Sequence, residues 1–260
     1  MTLAGAQTSH GGNGGNCRRY SCHTVGVSYP TSPAFRRLTT PRAAALAGVL
    51  FAVLFGTVLY LIRSSLPEGA QPGSQWIDTG HDKIRLAGEL MPFAGISFLW
   101  FIGVIRANLG RYEDKFFGTV TLGSGLLFLA MMFTSSAVGA GLTESRHYTG
   151  GDIAGVGVFG QMLLLKLSKT YALRMAAVFM MSLATVWKRT GLMPRWLVYA
   201  TYAAAAVLII GGDTTMWLVM AFPVWVLAVS VLFLVRAGWF EHRGEEHHHH
   251  HHHEYDDHSH

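Results

Sequence analysis

The sequence predicts an all-α polytopic membrane bundle of six transmembrane helices with both termini in the cytoplasm, and three observations carry that prediction. Charged residues make up 13% of the 260, about half the roughly 25% of a soluble domain. Between positions 43 and 240 they number only 23 in 198 positions, mostly clustered between apolar runs. Six such runs, each 17–23 residues long, match the about 20 helical residues needed to cross an apolar layer about 30 Å thick. An ordinary soluble globule and whole-chain disorder are both excluded. Lipid offers the backbone no hydrogen bonds, and the runs lack the period-2 alternation of barrel strands, so each is predicted to be a helix.

Residues 1–42 read as a flexible polar tail. HGGNGGN at 10–16 and the prolines Pro30, Pro33 and Pro41 oppose helix, and no apolar stretch there suits a secretory signal. Cys17 and Cys22 with His23 form a lone C-x4-C-H. A structural zinc site wants four ligands, so two reduced thiols are the simpler reading.

The body spans 43–240. Its predicted spans are 43–62, 87–105, 118–140, 171–187, 196–212 and 215–235, most of them closed by Arg or Lys. Residues 153–167, IAGVGVFGQMLLLKL, are apolar but short for a span and carry Gly155, Gly157 and Gly160. That stretch is expected to be interfacial, re-entrant or an extension of the fourth helix. Pro92 and Pro223 lie inside spans, where membrane helices tolerate them. Small residues at Gly123, Gly125, Ala200, Ala203 and Ala204 are expected to let helices approach closely, and the pairs Met131–Met132 and Met180–Met181 to fill packing gaps. Residues 241–260 form a His-rich acidic C-terminal tail.

Counting Lys and Arg on the two sides sets the orientation. With the N-terminus inside, 13 fall inside and six outside, leaving out Arg174 within a span. The positive-inside rule then places both termini in the cytoplasm. The net charge of +5 is thereby a membrane signal, and nucleic acid is not an expected partner. The lipid bilayer is, and membrane-protein partners fit the same surface; oligomeric state stays open.

Three stretches carry a family likeness: RLAGELMPFAGISFLWFIGVIRANLGRYEDKFFGTVTLGSGLLF at 85–128, YALRMAAVFMMSLATVWKRTGLMPRW at 171–196 and FPVWVLAVSVLFL at 222–234. They resemble a group of uncharacterised actinobacterial multi-spanning membrane proteins. The resemblance covers the six-helix body and neither tail. It implies a bacterial plasma membrane and a shared fold, and transfers no activity and no site residue.

Chemistry is sought first in charged groups inside spans, which cost roughly 3 kcal/mol at a helix centre. Glu89 and Arg174 qualify. Each lies two or three residues past the outer start of its span, so an ion pair tying the second and fourth helices is expected there. The functional version is a polar pocket for an anion, a proton or a lipid headgroup; the shallow depth favours a structural pair or two snorkelling side chains. Asp213 sits in a tight GGDTT turn between the last two spans. His81, Asp82, Glu144, Arg146, His147, Tyr148 and Asp152 populate outer loops, but no H-x3-H or HExxH spacing unites them around a metal. RANLGRYEDKF at 106–117 reads as a basic inner loop able to hold anionic headgroups.

Seven consecutive histidines, His247, His248, His249, His250, His251, His252 and His253, precede EYDDHSH. Such a run binds divalent metals. A purification tag and a native metal-buffering tail both read this way, and the acidic end fits the native one. No P-loop, GxSxG, HExxH or dinucleotide fingerprint occurs, so no motif calls for a cofactor or assigns an enzyme. The leading expectation is a structural or accessory membrane component. The alternative is a small-solute or ion transporter using Glu89, Arg174 and Asp213, which needs an enclosed polar cavity reaching mid-bilayer. A third reading, an outward-facing lipid or metal enzyme, needs the outer loops to converge.

Overall fold

A computed structural model describes residues 41–65, 80–109, 115–145, 153–212, 214–215 and 217–249. Among the described residues every regular element is helical. In chain order they are α1 (Pro41–Ser65), α2 (His81–Leu109), α3 (Lys115–Ser145), α4 (Ile153–Leu165), a π-helical segment (Lys166–Ala172), α5 (Leu173–Thr190), α6 (Arg195–Gly211) and α7 (Trp217–His249). Five continuous helices are long and apolar enough to cross a membrane, and the 17-residue α6 is a shorter sixth. The protein is a helical membrane bundle.

Local chemistry explains the boundaries. Pro41 opens α1, where an amide N–H would lack an intrahelical partner anyway. At the end of α5, Gly191 takes φ +67° and its N–H donates to Trp187 O at 3.0 Å. Glycine pays no Cβ penalty in that left-handed cap, and Pro194 follows as the extended cap of α6. Pro92 and Pro223 are carried inside α2 and α7, as expected of membrane helices.

Residues 153–167 are resolved as an extension of the fourth helix: α4, the π segment and α5 run on without a break. A π turn moves the hydrogen-bond ladder from i−4 to i−5, so a carbonyl at the changeover needs another donor. Leu164 O accepts the Ser168 hydroxyl at 2.8 Å and the Ser135 hydroxyl of α3 at 3.1 Å. The changeover carbonyl is thus served from within the π segment and from α3.

The centre of the bundle is aromatic. The ring of Phe98 on α2 lies 4.7 Å from Phe51, 5.7 Å from Phe128, 5.4 Å from Phe179 and 5.9 Å from Phe222, centroid to centroid. These rings come from α1, α3, α5 and α7, and all are buried. Tilted and edge-on contacts in this distance range are the favourable ones for rings. Trp187 and Trp225 continue the cluster along α5 and α7. Met132 and Met180 are buried within the same core, the packing role expected of them.

α6 is attached differently. Trp225 Nε1 donates to Thr201 Oγ1 at 3.0 Å, and Thr185 Oγ1 meets Tyr202 OH at 2.6 Å. Hydroxyl and indole groups thus tie α6 to α7 and α5. The small residues divide: Gly125 is closely approached by Ile102 and Phe179, whereas Gly123, Ala200 and Ala203 face outward and do not mediate close packing within the chain. A second close approach lies at Gly48, where any Cβ would strike Ser230 Oγ and the Phe101 ring.

Candidate functional site

The expected partners Glu89 and Arg174 occupy different surroundings. Glu89 Oε1 accepts from Arg85 Nε at 3.2 Å, one turn back on α2, and both side chains are more than half exposed (63% and 70%). An i,i+4 pair on one helix face forms without any tertiary contact, so Glu89 has a cationic neighbour on its own helix. Arg174 lies exposed in the first turn of α5. The ring contact between α2 and α5 is at Phe98 and Phe179, nine residues along α2 from Glu89.

The remaining sequence candidates are only partly placed. Asp213 lies outside the described residues, although Thr214 N donates to Gly211 O at 2.9 Å beside it, as a tight turn requires. His81 Nδ1 lies 3.2 Å from Asp82 Oδ1, and Glu144 is exposed near the end of α3. Arg146, His147, Tyr148 and Asp152 lie outside the described residues, as do Cys17, Cys22, His23 and positions 110–114 of the basic loop. Among the described residues no three His, Cys, Asp or Glu gather as metal ligands. α7 continues through residues 241–249, so the start of the C-terminal tail is helical and carries His247, His248 and His249; His250 to His253 lie outside the described residues.

The structure instead forms a cleft that the sequence reading did not anticipate. It lies where the end of α1 meets α3, the π segment and the start of α7, lined by Leu59, Tyr60, Arg63, Met132, Ser168 and Trp217 among others. Its enclosed volume is about 20 Å³, room for about one water. The Arg63 guanidinium lies over the Trp217 ring, 4.9 Å from its centroid, a cation–π geometry. One terminal nitrogen of Arg63 is buried. The hydroxyls of Ser135 and Ser168 reach the cleft wall, but both donate to Leu164 O.

Its depth follows from the helices around it. A Cβ on Gly212 would lie 3.0 Å from Lys169 O, so the α6–α7 turn is level with Lys169. Arg63 and Trp217 close α1 and open α7 at the same end of the bundle. From Lys169 to Arg189 is about 30 Å of helix at 1.5 Å per residue, the thickness of a bilayer core. The cleft thus lies about 30 Å of helix away from Arg189, and the 13 residues of the apolar α4 continue past it.

Comparison with known proteins gives no matching family model, no matching curated protein and no matching solved structure. The site therefore rests on its own geometry. Sequence reading treated Arg63 as a flanking charge of the first span and overlooked Ser135 and Ser168. One signal was available: Arg63 and Trp217 each sit at a span end on the same side of the membrane. Their separation by 154 positions hid that they touch.

Proposed function

We propose that the protein is a structural or accessory component of a bacterial plasma membrane, with both termini cytoplasmic, and that it does not pass solutes through its middle. The observation that carries this reading is the ring cluster around Phe98, where five helices fill the bundle centre with buried aromatic side chains. A solute path needs polar groups and room along the axis, and rings at contact distance leave neither. The bacterial location is proposed from the family resemblance of residues 85–128, 171–196 and 222–234.

Orientation draws on the opposite end of the bundle. Lys115, Lys188, Arg189, Arg195 and Arg236 are exposed there, with Trp196 62% and Tyr199 60% exposed beside them. Arg189 lies over Phe117, and Arg236 donates to Leu192 O. The excess of Lys and Arg in the sequence on this side, 13 against six, is the expected cytoplasmic arrangement. The His-rich tail then lies in the cytoplasm, where it binds divalent metal apart from the bundle.

Aqueous access tests the reading. With Cys17 and Cys22 replaced, single cysteines at Ala94 and Ala176, both fully buried, should stay unlabelled by a membrane-impermeant thiol reagent from either side in liposomes. A control cysteine at Lys188 should be labelled from the cytoplasmic side only. Labelling at Ala94 or Ala176 would put the transporter reading first, and labelling of Lys188 from outside would reverse the topology.

A further inference from the structure

We propose that the acidic end of the chain, carrying Glu254, Asp256 and Asp257, docks back onto the basic end of the bundle, where Lys188 and Arg195 flank the α5–α6 turn. The contact lies within one chain. It holds for either orientation in the membrane and for an accessory or a transporter alike, because α7 delivers the tail to that end.

The face comes first. Arg236 of α7 donates to Leu192 O, so the point where α7 leaves the bundle and the α5–α6 turn share one end. Lys188 and Arg195 are exposed there, and among the described residues no side-chain hydrogen bond or ion pair engages either cation. Sequence offers them no local partner: no acidic residue stands between Asp152, before α4, and Asp213, after α6. Lys115 opens α3 at the same end, since Phe117 lies under Arg189, but Glu113 and Asp114 precede it in the chain. Lys188 and Arg195 are therefore the cations that carry the docking.

The segment supplies the opposite charge. Residues 245–260 hold Glu245, Glu246, Glu254, Asp256 and Asp257 and no Lys or Arg. Reach decides which of these return. α7 is helical to His249, 13 residues past Arg236, which carries the chain about 20 Å beyond the face. Asp256 and Asp257 lie seven and eight residues further on, a span of about 23–28 Å when extended. The acidic end thus regains the face, whereas Glu245 and Glu246 are carried away from it along α7. Each exposed ion pair contributes less than about fivefold, but a short tether holds the segment at a local concentration in the millimolar range. Anionic lipid headgroups compete for the same cations without that tether.

Double electron–electron resonance on the full chain tests this, with Cys17 and Cys22 replaced by serine and spin labels at Leu192→Cys and Tyr255→Cys. The protein sits in phosphatidylcholine nanodiscs, with and without phosphatidylglycerol, and a chelator keeps the histidine run free of metal. An undocked tail starts about 20 Å off the face, so at 50 mM salt the main distance should be shorter, by roughly half that gap, than at 1 M, where the Debye length is about 3 Å. Glu254→Gln with Asp256→Asn and Asp257→Asn should abolish the short population, as should Lys188→Gln with Arg195→Gln. Lys188→Arg with Arg195→Lys should keep it, which separates lost charge from lost packing. Lys83→Gln, on the first turn of α2, should change nothing. The same distances at both salt concentrations, or a short population that survives the triple tail substitution, would overturn the proposal. A short population seen in phosphatidylcholine but lost with phosphatidylglycerol would overturn it as well, giving the face to the lipid.

Discussion

The bundle centre and the cleft end are built from the same helices by opposite means. Around Phe98 the contacts are ring on ring. A few turns away, around Leu164, they are hydroxyl on carbonyl, with a π segment, an arginine and an unfilled space. Rings fill volume with no polar group to satisfy, so they can hold a membrane bundle together through packing alone. A π turn leaves a changeover carbonyl to be satisfied, here by the hydroxyls of Ser168 and Ser135. Ring packing is therefore concentrated at the centre, and the cleft lies at the end. Gln161 Oε1, on α4 beyond the cleft, is buried with no hydrogen-bond partner among the described residues.

Substitutions can sharpen this contrast, beginning with the centre. Phe98→Ala removes the ring that touches four other helices and should cost about 3–5 kcal/mol, read as a lower midpoint in unfolding by sodium dodecyl sulfate in mixed micelles. A loss no larger than that of Ser135→Ala would erase the distinction between the two regions. Gly48→Leu should cost about 1–3 kcal/mol by forcing α1 away from Ser230 and Phe101. Wild-type stability there would mean that α1 and α7 are not in close contact.

Smaller effects belong to the polar ties. Thr201→Val leaves the buried Trp225 indole N–H without its acceptor, a loss of about 1–2 kcal/mol in a membrane bundle, together with a shift in indole fluorescence. Ser135→Ala should cost only about 1 kcal/mol, since Ser168 still donates to Leu164 O; hydrogen exchange at the π segment is the direct measure. The smallest change is expected at the Arg85–Glu89 pair, where removing either partner should cost a few tenths of a kcal/mol. The swap of Arg85→Glu with Glu89→Arg should restore what Glu89→Arg alone loses. Restoration instead by Arg174→Glu would place Arg174 beside Glu89 as the interhelical partner. Separately, deletion of residues 245–260 should remove stoichiometric nickel or zinc binding from the protein; retained binding would move the metal site into the bundle.

Much of the architecture was legible because membrane insertion is a local property. Whether residues 43–62 or 222–234 cross a bilayer depends on their own hydropathy, and five predicted spans fall on helices long and apolar enough to cross, the sixth on the shorter α6. The stretch at 153–167 was open for the opposite reason. Whether an apolar, glycine-bearing segment lies flat, turns back or continues depends on its neighbours, and here a serine from α3, 29 positions from Leu164, takes part in the answer. Glu89 illustrates a further limit. Equal depth on two helices suggests Arg174 as a partner, but depth says nothing of rotation about each axis, and the contact described for Glu89 is with Arg85 on its own helix.

The sequence alone determined membrane embedding, the number of crossings and the distribution of basic residues between the two ends, because free energy of transfer and charge placement sum along the chain without reference to tertiary contacts. The tertiary structure alone decided which rings share one centre, which glycines stand at close approaches, and that Arg63 meets Trp217 over a cleft. Those facts depend on helix rotation and neighbour choice. Many arrangements of six apolar helices expose similar surface to lipid, and shape complementarity among their side chains selects one.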